Sequence, residues 1–493
     1  MSTARNISNC WNQSLCSRFF KFLLESFLKS RTFRFITGPG LSEQCSYFQD
    51  TATYRALAGF SRLITLLRRV SFKAAQASIS NLISESLVWN YSYLIFFLIA
   101  AYPLVDYILR NQPGTSALSG IWDELVFLVT GLLLLGRFLI DEGKRFSFTP
   151  LDLPILLFVG AGIFLFLVKS PEPDVALDGW RATYQYVFWF FLTVSFGLTS
   201  KQRQQIIWAF VLVGTLVAFY GIYQYIIGVP IPPNWVDQAE AGVRTRVFSW
   251  IGSPNVLGSY LVLLIPVAAA LFHNAGSWRA KAAAAAILLG MALCLVFTFS
   301  RGAWLAFLLA ALVYGTLRDR RLLALILVGA VLLPVVSPSV ANRLQYTFSS
   351  KYVESSQRGG RFARWEEALE RFSHQPVTGV GLGRFGGATA ARFNIPGTFY
   401  VDNYYLKVAV ETGLIGVGTF LWLLLNVLRT ISGILKELAR EPGKYTLSCG
   451  IAAGLLGVLA HNLVENIFEV PMMQTAFWVL LGILVTQKPN THS

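Results

Sequence analysis

Apolar runs close to 20 residues long recur along this chain from about residue 90 to residue 485. That is the length an α-helix needs to cross the hydrocarbon core of a bilayer, where every backbone N–H and C=O must be bonded within the protein. The composition agrees: 54% of the 493 residues are hydrophobic and only 14% are charged, too few charges to cover a soluble surface of this size. The alternation that marks outer-membrane barrel strands is absent. The expected fold class is therefore all-α and polytopic. About twelve spans are expected, near 89–109, 119–140, 151–168, 182–198, 206–228, 256–273, 282–299, 302–317, 321–337, 404–428, 446–468 and 470–486.

The net charge of +15 reads first as an orientation signal rather than as a sign of nucleic acid, which is not an expected partner. One set of short loops carries Arg137, Lys144, Arg145, Lys201, Arg203, Arg279, Lys281, Arg318, Arg320 and Arg321, and the loop between the tenth and eleventh spans adds more. The alternate set holds only Arg110, Lys169, Arg181, Arg244, Arg246 and Arg301. The richer set is expected to face the cytoplasm, with both termini inside. Four regions follow. Residues 1–87 form a basic cytoplasmic segment with 11 Lys and Arg; 88–337 hold spans one to nine; 338–403 form a large extracytoplasmic loop between spans nine and ten; 404–493 hold the last three spans and a short tail. Five scattered cysteines, Cys10, Cys16, Cys45, Cys294 and Cys449, show neither a disulfide framework nor a metal spacing.

Within the long loop, RGGRFARWEEALERFSHQP reads as an amphipathic helix with Trp365, Leu369 and Phe372 on its apolar face. A second helix is expected through 340–352. The literal GxGxxG at Gly381–Gly386 follows no strand and opens no βαβ unit, so it is read as a turn and not as a dinucleotide site.

Ionisable side chains in or beside the spans gather near the outer ends. They are Asp106; Asp123 and Glu124; Arg301; Lys407 and Glu411; His461, Glu465 and Glu469. Such groups are costly in a bilayer and usually face a cavity or a pathway. Each also has a plain structural reading. Lys407 and Glu411, four apart, form either an ion pair or part of a site, and His461 and Glu465 share a helix face at the same spacing. Arg301 is an interfacial anchor or an anion ligand, and Arg361 and Arg364 belong to a solvated loop face or to a site.

The motifs SRGAWLAF, RVFSWIGSPNVLGSYL and RFARWEEALERFSHQPVTGVGLGRF, spread over roughly 205–425, resemble those of the O-antigen ligase and polymerase-related membrane proteins. These are multi-spanning bacterial glycosyltransferases of the GT-C type. The stretch VDNYYLKVAVETGLIG is similar to the ligase element His-(Asn/Ser/Gln), nine residues, Gly-x-x-(Gly/Thr/Tyr), with Asn403, Gly413 and Gly416 in register. Asp402 stands where the ligases carry histidine. It is read either as a replacement base or as an N-cap of the following helix.

The resemblance implies a glycan donor carried on undecaprenyl diphosphate, a glycan, lipid or protein acceptor, and a location in the bacterial plasma membrane. Arginines at the lipid–water boundary suit a diphosphate, because the planar guanidinium pairs with its oxygens in two places. The implied substrate-binding residues are Arg246, Arg301, Arg361, Arg364, Lys407, Trp365 and Asn403. The implied acid–base candidates are Asp402, Glu411 and His461. No cofactor and no metal are expected. The rival function is transport of a small anion such as bicarbonate, suggested by a cyanobacterial branch of the family named for inorganic-carbon transport.

Overall fold

The computed structural model describes residues 91–140, 147–232 and 245–487, and among them the chain is helical, with no strand. The basic segment 1–87, its three cysteines, Lys144, Arg145 and Arg244 lie outside the described residues. In chain order the principal helices are α1 (Ile95–Ala100), α2 (Tyr102–Asn111), α3 (Trp122–Ile140), α4 (Asp152–Val168), α5 (Pro173–Tyr184), α6 (Phe188–Phe196), α7 (Ser200–Ile227), α8 (Pro254–Asn274) and α9 (Trp278–Phe297). They continue with α10 (Arg301–Leu317), α11 (Arg320–Val336), α12 (Pro338–Thr347), α13 (Ser350–Gln357), α14 (Arg361–His374), α15 (Ala388–Arg392), α16 (Tyr404–Glu437), α17 (Pro442–His461) and α18 (Pro471–Val485).

Five helices are long and apolar enough to cross a membrane, and the number rises to seven if each of two sharply bent pairs is one span. One bent pair joins the start of the first apolar run to α2 at 73°, and the other joins α11 to α12 at 99°. Three further apolar helices, α4, α10 and α18, are shorter. Length and composition alone support five to seven crossings among the described residues, and the twelve expected are not reached by that measure.

Local sequence explains where the helices start. Ser253, Ser277, Ser300 and Asp319 each cap α8 to α11 by accepting a backbone N–H of the first turn. Thr199 and Gln202 form a capping box at the start of α7. The core is centred on α8, whose apolar window is 83% buried. Along α17, Gly450 and Gly454 lie so close to the backbone of α8 that a Cβ would come within 2.5 Å of Pro266 O and 2.2 Å of Leu263 O. Small residues at such contacts let helices approach without a hydrophobic driving force between them. By contrast, α11 buries no residue, with Val331 and Val335 more than 70% exposed. Its packed residues, Leu322 and Leu323 among them, lie on one side, and the apolar remainder is open, as a lipid environment accommodates.

Residues 338–403 form an insert of helices and turns packed at one end of the bundle. The helix expected through 340–352 is two helices, α12 and α13, separated at Phe348 and Ser349. In α14 the buried face is Ala368 with Trp365 and Phe372 against it, while Leu369 is 56% exposed. Trp365 and Phe372 thus lie on the packed face as expected, and Leu369 does not: Ala368 takes its place against Phe385, Val401 and Val410.

The insert is joined to the bundle by backbone hydrogen bonds. At 34 residues α16 runs about 50 Å, longer than the ~30 Å hydrocarbon core. It is interrupted at Gly413, with φ 61° and ψ −162°. The break leaves carbonyls 410 and 411 and amides 414 and 415 without helical partners, and the segment 376–381 takes them all. Val380 N donates to Val410 O at 2.8 Å and Gly381 N to Glu411 O at 3.1 Å; Leu414 N donates to Pro376 O at 2.8 Å and Ile415 N to Val377 O at 3.3 Å. Irregular backbone in an apolar region is tolerated only with such compensation. A Cβ at Gly413 would lie 2.3 Å from Val377 O, and its positive φ strains any side chain. Replacement Gly413→Ala should cost about 1–3 kcal/mol and lower the melting temperature of the protein in detergent. An unchanged melting temperature would show that the junction tolerates a side chain.

Candidate functional site

Four segments distant in sequence meet beside the α9–α10 turn: the approach to α8, the start of α10, the insert helices α12 to α14, and the turn after α17. Arg246, 5% exposed, donates through Nε to Thr298 O at 3.1 Å and through Nη2 to Asn255 Oδ1 at 3.0 Å. Arg343 of α12, equally buried, donates through Nε to Phe299 O at 3.1 Å. Phe299 holds the turn in a left-handed conformation (φ 49°). Two guanidiniums thus bond successive carbonyls of the turn that launches α10.

Arg301, the first residue of α10, donates through Nη1 to Thr347 Oγ1 at 3.0 Å, and its guanidinium lies 4.9 Å from the centroid of the Tyr352 ring. Tyr352 is in turn close enough to Arg361, the first residue of α14, to act on its charge. Arg361 lies 3.7 Å from Asp402 and 3.6 Å from Glu465. Asn255 Nδ2 donates to the same Glu465 oxygen, Oε2. Arg246, Arg301 and Arg361 are therefore linked through Asn255, Glu465 and Tyr352 into one centre. Arg364 joins at its edge, bonding Asp402 at 3.2 Å and Tyr400 O at 3.1 Å.

The carboxylates feel this environment. Burial pushes Asp402 above the usual carboxylate range against the pull of Arg361 and Arg364. Burial and the charge of Asp402 push Glu465 up to about 7. Burial disfavours the charged form of Arg361, yet Glu465 and Asp402 raise its pKa above the ordinary value.

His461 ends α17 at 1% exposure, and its Nδ1 has no hydrogen-bond partner among the described residues. Its Nε2 faces Gly302, 3.0 Å from where a Cβ would stand. His461 and Glu465 do not share a helix face as the spacing suggested, because the helix stops at His461. Asn462 terminates it: its backbone O accepts from Tyr404 N at 2.9 Å and its Oδ1 from Phe468 N at 3.0 Å. The chain then turns, and Glu465 reaches the arginines from a loop.

Four of the expected residues, Asn403, Lys407, Glu411 and Trp365, have structural positions. The N-cap of α16 is Asn403, whose Oδ1 accepts from Leu406 N at 3.1 Å, so Asp402 is not the cap. Asp402 sits one residue earlier at φ 50°, a left-handed conformation that Asp tolerates better than most residues. Lys407 and Glu411, each 1% exposed, pair at 2.8 Å. Lys407 also lies 3.8 Å from Glu469, and Glu411 Oε1 accepts from Phe385 N at 3.1 Å. This buried cluster fixes the glycine-rich turn to α16, and its charges are directed to one another rather than to the arginines. Trp365 spends its indole N–H on Val401 O at 3.0 Å, and Tyr404 is buried between Phe420 and Phe468.

Glu465, Arg343 and Tyr352 were not among the residues expected to act. Glu465 carried one usable signal, an acidic residue within the outer end of the expected eleventh span. Tyr352 and Arg343 carried none, since both sit in short helices of mixed composition.

Comparison with known proteins supports the resemblance. The sequence model of a family described as O-antigen ligase matches residues 284–421, a segment that holds Arg301, Arg361, Asp402, Asn403, Gly413 and Gly416. Arg246, His461 and Glu465 lie outside it. A Rickettsia felis protein named, provisionally, as a polysaccharide ligase is 24% identical over 181 residues, 34% of this chain and 42% of the relative. The chain thus spans less than half the length of that relative.

Removing one member of a buried ion pair strands the other, at a cost of about 3–5 kcal/mol. Lys407→Met, which strands both Glu411 and Glu469, should sharply reduce the yield of folded protein, and Glu411→Gln, which leaves Lys407 beside Glu469, should reduce it less. Equal losses in the two variants would contradict this pairing.

Proposed function

We propose that this chain is a membrane glycosyltransferase of the O-antigen ligase kind. It moves or polymerises a glycan from an undecaprenyl-diphosphate carrier at the outer face of the bacterial inner membrane. The observation that carries this reading is the convergence of Arg246, Arg301 and Arg361 from three separate segments at the end of the bundle that bears the insert. In the proposed topology both termini are cytoplasmic and the insert is extracytoplasmic. The twelve crossings comprise the long helices, the bent pairs, the short apolar helices, α3, and α5 and α6 taken together.

The chemistry follows from the charges. Arg361 is held by two carboxylates at 3.6–3.7 Å, beyond hydrogen-bond length, so these pairs are loose. A diphosphate offers more charge and more oxygens in forked geometry than a carboxylate, and takes the guanidiniums in preference. The bond between the anomeric carbon and the phosphate oxygen breaks, and its electron pair passes to the diphosphate, where Arg301 and Arg361 stabilise the growing charge. The acceptor hydroxyl attacks the anomeric carbon with inversion and loses its proton to a carboxylate. Glu465 suits that step better than Asp402, which is tied to two arginines, and better than Glu411, which is enclosed with Lys407. His461, with Nδ1 unbonded, stands beside this centre as a second acid–base group.

Transport of a small anion is the weaker reading. A transporter offers unwound backbone to its ion, but the unwound groups at Gly413 are taken by residues 376–381.

Purified protein incubated with lipid-linked oligosaccharide and candidate acceptors should form a transferred product readable by mass. Arg301→Ala and Arg361→Ala should each lower the rate on the order of 100-fold or more at equal protein level; full activity in both would refute the assignment. A base must be ionised to accept a proton, so with Glu465 near 7 the rate should fall as pH drops through about 7. Glu465→Gln should remove that limb from the residual pH profile; a profile that keeps it would assign the base elsewhere.

A further inference from the structure

A cavity of about 480 Å³ lies apart from the arginine centre, at the same end of the bundle. Its polar lining includes Asp106 of α2, Glu124 of α3, Asp178 and Arg181 of α5, and Thr389 and Arg392 of α15. The volume falls within the range of pockets that hold a small organic ligand. None of the arginine-centre residues lines it.

The lining is a lattice of carboxylates and guanidiniums. Arg181 bonds Glu124 and lies 3.6 Å from Asp178; Arg392 lies 3.2 Å from Asp178. Asp123 at the rear accepts the hydroxyls of Tyr102 at 2.9 Å and Tyr186 at 3.0 Å, so its position is fixed. The other oxygen of Glu124, Oε2, is buried and has no hydrogen-bond partner among the described residues. A buried acceptor left unbonded is costly and calls for a donor.

The charges narrow the ligand class. Four carboxylates disfavour an anion, and three arginines, Arg110, Arg181 and Arg392, disfavour a metal cation. A polyhydroxylated molecule is suited, because each hydroxyl both donates and accepts and can meet carboxylate and guanidinium in turn.

The cavity also lies near the proposed reaction centre. Asn466 bridges the two regions, accepting from Asn403 N at 3.1 Å and donating to Gly386 O at 2.6 Å. Glu469 accepts from Ala388 N, at the head of α15, at 2.7 Å. Pro471 on the cavity wall is six residues from Glu465, at most about 20 Å away along the chain. An oligosaccharide of a few sugars covers that distance.

We propose that this cavity is a carbohydrate subsite that holds the acceptor glycan while the arginine centre holds the diphosphate of the donor. The inference rests on the glycosyltransferase reading and names where its second substrate sits.

Two measurements test it. In the transfer assay, Glu124→Gln and Arg392→Ala should each raise the KM for acceptor at least tenfold and leave the KM for lipid-linked donor within twofold. Arg392 is 72% exposed at its side chain, so its removal spares the fold. Independently of turnover, oligosaccharide released from the host's surface glycan by mild acid should bind the wild-type protein saturably in detergent and bind Glu124→Gln at least tenfold more weakly. Absence of wild-type binding, or an unchanged acceptor KM in both variants, would overturn the subsite. Saturable binding lost in Glu124→Gln, in a protein that transfers no glycan, would uphold the subsite and reject the transferase reading.

Discussion

Backbone that leaves the helix inside an apolar environment must find other partners, and in this chain that requirement fixes the site. The break at Gly413 opens four backbone groups, and residues 376–381 close them. The insert is therefore anchored to α16, not merely tethered by its two ends. Because α14 leads directly into residues 376–381, the same bonds anchor its C-terminal end to α16. Glycine at 413 is needed for its positive φ and for the closeness of Val377 O, and only the third dimension reveals that closeness.

Buried charge reinforces the anchor. Lys407, Glu411 and Glu469 lie in a nearly closed interior and satisfy one another. Such a triad adds little net stability over an apolar core, but it penalises every arrangement in which one member is left alone. It thereby ties α16, the glycine-rich turn and the start of α18 into one register. The arginine centre has the opposite character. Arg361 stands 3.6–3.7 Å from its two carboxylates, burial pushes Glu465 up to about 7, and the guanidiniums are stacked or shared. One cluster is closed on itself, and the other can exchange a carboxylate for a phosphate.

Much of this was legible in one dimension because the governing forces are local. Apolar run length located most of the helices, and the odd placement of charges at one end of the runs pointed to the site region. The gathering of Arg246, Arg301 and Arg361 was also expected. What escaped depends on long-range contact. Glu465 meets Asn255 across 210 positions. Lys407 and Glu411 displayed the spacing shared by site residues and structural pairs, and only the distant Glu469 and Phe385 N decide between them. His461 and Glu465 looked like one helix face because nothing in their spacing announces that Asn462 ends the helix. On α14 Trp365 and Phe372 pack as their spacing suggested, while Ala368 rather than Leu369 completes the face, which hydrophobicity alone does not indicate.

The central claim is that three guanidiniums from separate segments form one diphosphate site. A structure of the protein in lipid with undecaprenyl diphosphate bound tests it most directly. The expected result has phosphate oxygens within about 3 Å of guanidinium nitrogens of Arg301 and Arg361, with Glu465 released from Arg361. A carrier seated elsewhere, with the Arg361–Glu465 and Arg361–Asp402 pairs unchanged, would contradict it.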